Sequence, residues 1–253
     1  NCWSNIQVAG AANWTYATGA GGGTVTTAHG GTRNARFVST SPSGGNTPIT
    51  KLVSPVLDLS AFSGADLSFW YAQEDWFGDQ NTMTVYYRIS SSDPWVSLAS
   101  YTSNVAAWTQ VTLSLPGVTS TYQIAFEGHN NYGRANVVDD VTISGLANCS
   151  GTPSGGTSSA SANPVCQNNP TTLSLSGHST GMGGLGYQWK SSTTPGGPYT
   201  DISGATTESY VYTPSASGTE YIVCEVSCSI SGLSALSSET TLVVNPGPTG
   251  TAT

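Results

Sequence analysis

Two short stretches of the chain have the spacing of catalytic motifs. Gly177-His-Ser-Thr-Gly181 fits Gly-x-Ser-x-Gly, in which a strained strand-to-helix turn presents a serine, here Ser179, as a nucleophile. Gly181-Met-Gly-Gly-Leu-Gly186 fits Gly-x-Gly-x-x-Gly, whose glycines let the backbone close on a pyrophosphate at a helix N-terminus. Both need a helix immediately downstream. Tyr187-Gln-Trp-Lys follows instead and reads as a strand, so these are turns between antiparallel strands. His29, His129 and His178 are scattered through Gly-rich or Asn-rich segments without zinc-site spacing, as solvated loop histidines are. Glycoside hydrolysis would need two carboxylates facing each other across a cleft. Glu74, Asp75, Asp79 and Glu127 are the acids that could try, and nothing in the sequence pairs them. The residues describe a protein that binds or assembles and is not an enzyme.

The stronger chemical signal is a hard-cation site. In Val137-Val-Asp-Asp-Val-Thr-Ile143, strict alternation sets Asp139 on the face of Val137, Val141 and Ile143, which is the core face. A carboxylate pointing inward has to be paired, hydrogen-bonded or bound to metal. Asp79 and Glu74, from the acidic loop Gln73-Glu-Asp-Trp-Phe-Gly-Asp79, could add oxygens to a Ca²⁺ shell. The alternative is Asp139 accepting backbone N–H groups with no ion. Trp76, Phe77 and Tyr132 also fall in loops. Large aromatics there either cap the core or face a partner, stacking on a sugar ring or against a neighbouring subunit.

These residues sit on a surface of unusual composition. Charged residues make up 8% of the chain, against roughly 25% in an average globular domain, and Ser, Thr and Gly stand in their place. With 37% hydrophobic residues the chain should still fold. The net charge of −8 divides evenly about residue 148, which excludes a phosphate backbone as partner. No apolar run approaches a membrane span and no signal peptide is visible. The chain, starting at Asn1, is expected to be a mature or excised segment of an exported protein. Five cysteines on so uncharged a chain point to an oxidising compartment. Cys224 and Cys228 are four apart on one alternating strand, about 13 Å from each other, and cannot bond together.

Strand signals recur throughout and helical periodicity is absent, so the expected class is all-β with antiparallel sheets stacked as sandwiches. Residues 1–147 form one module. Residues 148–164 are a linker or first edge strand, the second module runs to 245, and 246–253 is a Pro/Gly tail or linker.

The second module resembles the immunoglobulin-like repeats of large bacterial surface proteins. The resemblance rests on Cys166, Tyr187-Gln-Trp189, Ile202-Ser-Gly-Ala-Thr, Tyr221 to Cys224, and Ser231-Gly-Leu-Ser-Ala-Leu-Ser. Such sandwiches place a Trp against an inter-sheet disulfide, which implies a Cys166–Cys224 bridge beside Trp189. Cys149–Cys228 is the preferred second bridge, at the other end of the sandwich. Cys2 is then left unpaired or intermolecular, with a buried thiol or a Cys2–Cys149 bridge as alternatives. The first module resembles MAM-like jelly rolls of secreted and adhesive proteins through Cys2-Trp3, Asn13-Trp-Thr, Leu52-Val-Ser-Pro-Val-Leu-Asp-Leu-Ser, Leu67-Ser-Phe-Trp-Tyr, Trp108, Ile124-Ala-Phe-Glu-Gly and Val138-Asp-Asp-Val-Thr-Ile. MAM-like domains hold a cation near this acidic strand, so the resemblance also implies Ca²⁺ at Asp139.

The expected function is adhesive or structural, at the cell surface or in a surface fibre. The partners would be other copies of the chain or neighbouring surface proteins, with linker or tail touching an adjacent copy. The alternative is a carbohydrate-binding accessory module of a secreted hydrolase, with glycans as ligands.

Overall fold

The computed structural model describes residues 2–38 and 47–247. The chain divides into two compact units, Asn1–Leu146 and Ala147–Thr253. Strands and no helix occur among the described residues. Of the tail expected at 246–253, residues 248–253 lie outside the described residues.

The first unit contains β1 (Ser4–Ala9), β2 (Trp14–Ala17), β3 (Asn34–Phe37), β4 (Ile49–Val53), β5 (Phe62–Gln73), β6 (Thr82–Arg88), β7 (Val96–Tyr101), β8 (Val105–Leu115), β9 (Gln123–His129) and β10 (Asn136–Ala147). They pair as two five-stranded sheets, β1-β4-β9-β6-β7 and β2-β3-β10-β5-β8, the arrangement of a jelly roll. Strand β5 shows why. Its Ala65, Leu67, Phe69 and Tyr71 point inward while Asp66, Ser68 and Trp70 point out, so one face joins Phe37, Met83, Ile124 and Phe126 in a dry core. Each such side chain contributes about 1.5–3 kcal/mol by burial.

A smaller apolar cluster, Ala20, Val25, Ala72, Ala135 and Val137 with Trp108 against it, is separate from this core. Its Ala20 and Val25 come from the segment between β2 and β3. The two clusters correct the expectation for β10. Val138 joins the main core with Val141 and Ile143, whereas Val137 belongs to the smaller cluster. Alternation slips by one at Asp139-Asp140, where Asp140 has φ +46°, so Asp139 does not share the face of Val141 and Ile143.

The second unit contains β11 (Thr157–Ala160), β12 (Val165–Cys166), β13 (Thr171–Ser176), β14 (Leu185–Ser192), β15 (Thr200–Asp201), β16 (Ser209–Tyr212), β17 (Gly218–Cys228), β18 (Leu233–Leu236) and β19 (Thr240–Asn245). One sheet runs β11-β13-β16 and the other β12-β19-β17-β14-β15, with β18 also pairing β17, an immunoglobulin-like sandwich. Trp189 and Cys224 are fully buried in register on adjacent strands and share a core with Leu173 of the other sheet.

Cys149 and Cys228 form a disulfide with Cα atoms 5.8 Å apart. Cys149 sits where its N–H donates to the Gly183 carbonyl, and Gly183 in turn donates to Ala147, so residues 147–149 are fastened to the end of β14 and β17. The expected Cys166–Cys224 bridge does not form, and both residues are free thiols, as is exposed Cys2. Cys166 lies on β12, which runs parallel to β19 in the same sheet as Cys224. It pairs with Asn245 beyond the start of β17, whereas Cys224 is six residues further along, about 20 Å away. Burial pushes the Cys224 thiol up to about 11.

Candidate binding site

At one end of the jelly roll, loops from four parts of the chain enclose an open cleft of about 260 Å³. Its walls include Ala20, Gly21, Gly22, Trp76, Tyr132 and Arg134. The first wall grows from β5. After Gln73 the chain turns in a two-residue hairpin, in which Trp76 and Asp79 exchange both backbone hydrogen bonds (2.9 and 3.0 Å) around Phe77-Gly78. Both central residues have positive φ, +51° for Phe77 and +97° for Gly78, as a tight hairpin requires. Asp75 braces the turn by accepting from the Gly78 N–H and the Asn104 amide. Glycine suits this backbone; a phenylalanine there is strained, and its ring is 96% exposed. Trp76 is about half exposed, with its ring centroid 5.9 Å from that of Phe77.

The second wall is the loop after β9. Asn81, fully buried, accepts from the N–H groups of Asn131 (2.7 Å) and Gly133 (2.9 Å) and donates to the Arg134 carbonyl. A Cβ on Gly133 would fall 2.7 Å from the Asn81 nitrogen, so only glycine allows this approach. One amide thus folds the loop onto the hairpin strand and sets Tyr132, at φ +63°, beside Trp76. Below, Asn136 donates to Gln73 and the Thr82 carbonyl, and Gln73 donates to the carbonyls of Tyr101 and Ser103. These buried amides fix loop positions that apolar packing alone would leave loose.

The third wall is Gly21-Gly22-Gly23, which lies directly over charged side chains. A Cβ would come within 2.4 Å of an Arg36 Nη at Gly21, 2.7 Å of an Arg134 Nη at Gly22, and 2.2 Å of the Glu74 carboxylate at Gly23.

The residues proposed as cation ligands do not come together. Asp139 accepts backbone N–H groups from His29 (2.9 Å), Gly30 (3.1 Å) and Asp140 (2.9 Å). Glu74 accepts from the Thr24 N–H and hydroxyl, and Asp79 closes the hairpin through its backbone. Among the described residues no three carboxylates, imidazoles or thiols form a group able to hold a metal. Sequence reading missed His29. Its ring stacks on Trp70 with centroids 3.8 Å apart and its Nδ1 lies 2.6 Å from Asp140. Together with Asp139 this pins the segment between β2 and β3.

The catalytic motifs are turns. The Ser179 hydroxyl accepts from the Ser154 N–H, while the neighbouring His178 faces Glu208 and Tyr187. Gly181–Gly186 leads into β14. Of the four acids weighed for hydrolysis, Glu74 and Asp75 accept hydrogen bonds within the loops and Glu127 is paired with Lys51 on the other sheet.

Residues 2–150 match the model of the MAM domain (meprin/A5/mu). The chain belongs to the MAM family. The MAM unit is followed by a match over residues 154–246 to a domain of unknown function, DUF8696. No curated protein matches the chain. Among solved structures the chain is similar to the K1 cleaved adhesin domain of Lys-gingipain from Porphyromonas gingivalis W83, at 21% identity over 58% of this chain and 92% of that one, TM-score 0.41. The K3 adhesin domain of the same protein gives 20% identity over 57% and 91%, TM-score 0.39. The module TmCBM61, solved with β-1,4-galactotriose, gives 12% over 56% and 87%, TM-score 0.40.

Proposed function

We propose that the chain is a non-enzymatic extracellular adhesion module, a segment of a cell-surface protein, which attaches through the aromatic rim of the cleft in its MAM unit. The observation that carries this reading is Phe77, a large ring held fully in solvent by a backbone conformation that disfavours it. Neither core packing nor folding economy accounts for that placement, whereas a contact with a partner does. The disulfide and the low surface charge support an exported location, and weak self-repulsion is compatible with packing against copies of itself. Glycan binding is supported by a separate observation: the rim encloses a cleft, not a flat patch, and sugar rings lie well on Trp and Tyr faces.

The test is attachment of chain-coated beads to immobilised glycans, to extracellular matrix proteins and to the chain itself. The variant carrying Trp76→Ala and Phe77→Ser should lose attachment at least tenfold with an unchanged melting temperature. Undiminished attachment of a folded variant refutes the reading.

A further inference from the structure

Arg36 and Arg134 differ from exposed Arg33 in their partial burial, and from the other cations of this acidic chain in lacking a partner. Lys51 pairs with Glu127, Lys190 pairs with Asp201 and Glu225, and Arg88 donates to Gln123 and lies over Trp95. Arg36 and Arg134 have no acceptor or ion pair among the described residues, and the Nε of each is buried with none. The carboxylate nearest the glycine loop, Glu74, is held by Thr24. The undescribed segments, residue 1, residues 39–46 and residues 248–253, contain no Asp or Glu. Arg134 therefore lines a cleft rimmed by Trp76 and Tyr132, and Arg36 reaches Gly21 at its edge, each guanidinium partly desolvated and without an acceptor among the described residues. A partly desolvated guanidinium gains from an anion that completes its hydrogen bonds.

We propose that the cleft binds an acidic sugar, a hexuronic acid residue of a polysaccharide, with its carboxylate on Arg134, assisted by Arg36 beneath Gly21, and its ring against Trp76 and Tyr132. This rests on the binding reading above and names the ligand class for the same site. A guanidinium fork matches a carboxylate in geometry and charge. An acidic peptide side chain would use the arginines but leave the flat aromatic walls without a matching face; a uronate ring uses both. Glycines at positions 21 and 22 keep that wall free of side chains, and a cleft of about 260 Å³ takes a small ligand such as a single sugar residue.

The test is titration calorimetry of the whole chain with oligogalacturonate, its methyl ester, neutral galactan oligosaccharide and polyglutamate. The acid form should bind, with the ester at least tenfold weaker, polyglutamate weaker still, and affinity falling with salt. Arg134→Gln should weaken binding at least tenfold, and Arg134→Lys less. If Arg134→Gln lowers the melting temperature, Arg36→Gln and the salt dependence of the unaltered chain carry the same decision. Equal affinity for acid and ester, equal affinity for polyglutamate, or no affinity for the acid overturns the proposal. Binding of neutral galactan, or bead attachment that depends on Trp76 and Phe77, would leave the adhesion reading standing when this one falls.

Discussion

In the first unit the loops at one end of the sandwich are held by buried side-chain amides. In the second unit the end near Cys228 is held by a covalent bond. Asn81 folds residues 131–134 onto the hairpin strand, while Cys228 ties residues 147–149 to the end of β14 and β17. The tryptophans near these two features differ too. Trp189 is enclosed in the second core, whereas Trp76 and Phe77 of the first unit stand in solvent. An amide network can place a loop to within a hydrogen bond and still leave a cleft open. A disulfide restrains the chain without shaping a surface. The comparison sets an open, polar-braced end in the first unit against a covalently fastened end in the second.

The largest expected effect tests the covalent side. The variant carrying Cys149→Ser and Cys228→Ser releases a 79-residue separation, and the second unit should lose about 4.5 kcal/mol on the chain-entropy estimate. Calorimetry should show its transition falling while that of the first unit stays in place. A common shift of both transitions would break the comparison. Next is Asn81→Ala, which strips the acceptor from two backbone N–H groups. It should destabilise the first unit by about 2–3 kcal/mol, with faster amide exchange confined to 130–134; protection unchanged there would show that the amide does not organise the loop. The smallest effect has the opposite sign. Phe77→Gly relieves a left-handed backbone and should stabilise the first unit by about 1 kcal/mol while attachment is lost. A loss of stability would mean that the ring packs in a way its exposure denies.

Much of this was legible in the sequence. Alternation in Leu67-Ser-Phe-Trp-Tyr pointed to β5, the Ser/Gly-rich stretch from 148 marked the start of the second unit, and placement at one end of the sandwich pointed to Cys149–Cys228. Trp76, Phe77 and Tyr132 could be singled out because rings are rare in loops. Three things were hidden for physical reasons. The order Cys166, Trp189, Cys224 carries no information on which sheet Cys166 joins, and it joins the same sheet as Cys224. Period-two reasoning at Asp139 assumes no bulge, and a single positive φ at Asp140 undoes it. Asn81, Gln73 and Asn136 read as surface amides because burial of a polar group depends on partners distant in the chain. The same holds for Gly21-Gly22-Gly23, which reads as a slack turn until Arg36 and Arg134 are found beneath it.

The sulfur link also decides how the second unit answers tension along the backbone. A pull arriving at Cys149 crosses directly to Cys228, so the strands between them lie off the load path. Only residues 229–245, with β18 and β19, can be drawn out, roughly 60 Å of slack at full extension. Stretched this way, the unit would yield a short, fixed length and then stop with most of its fold intact.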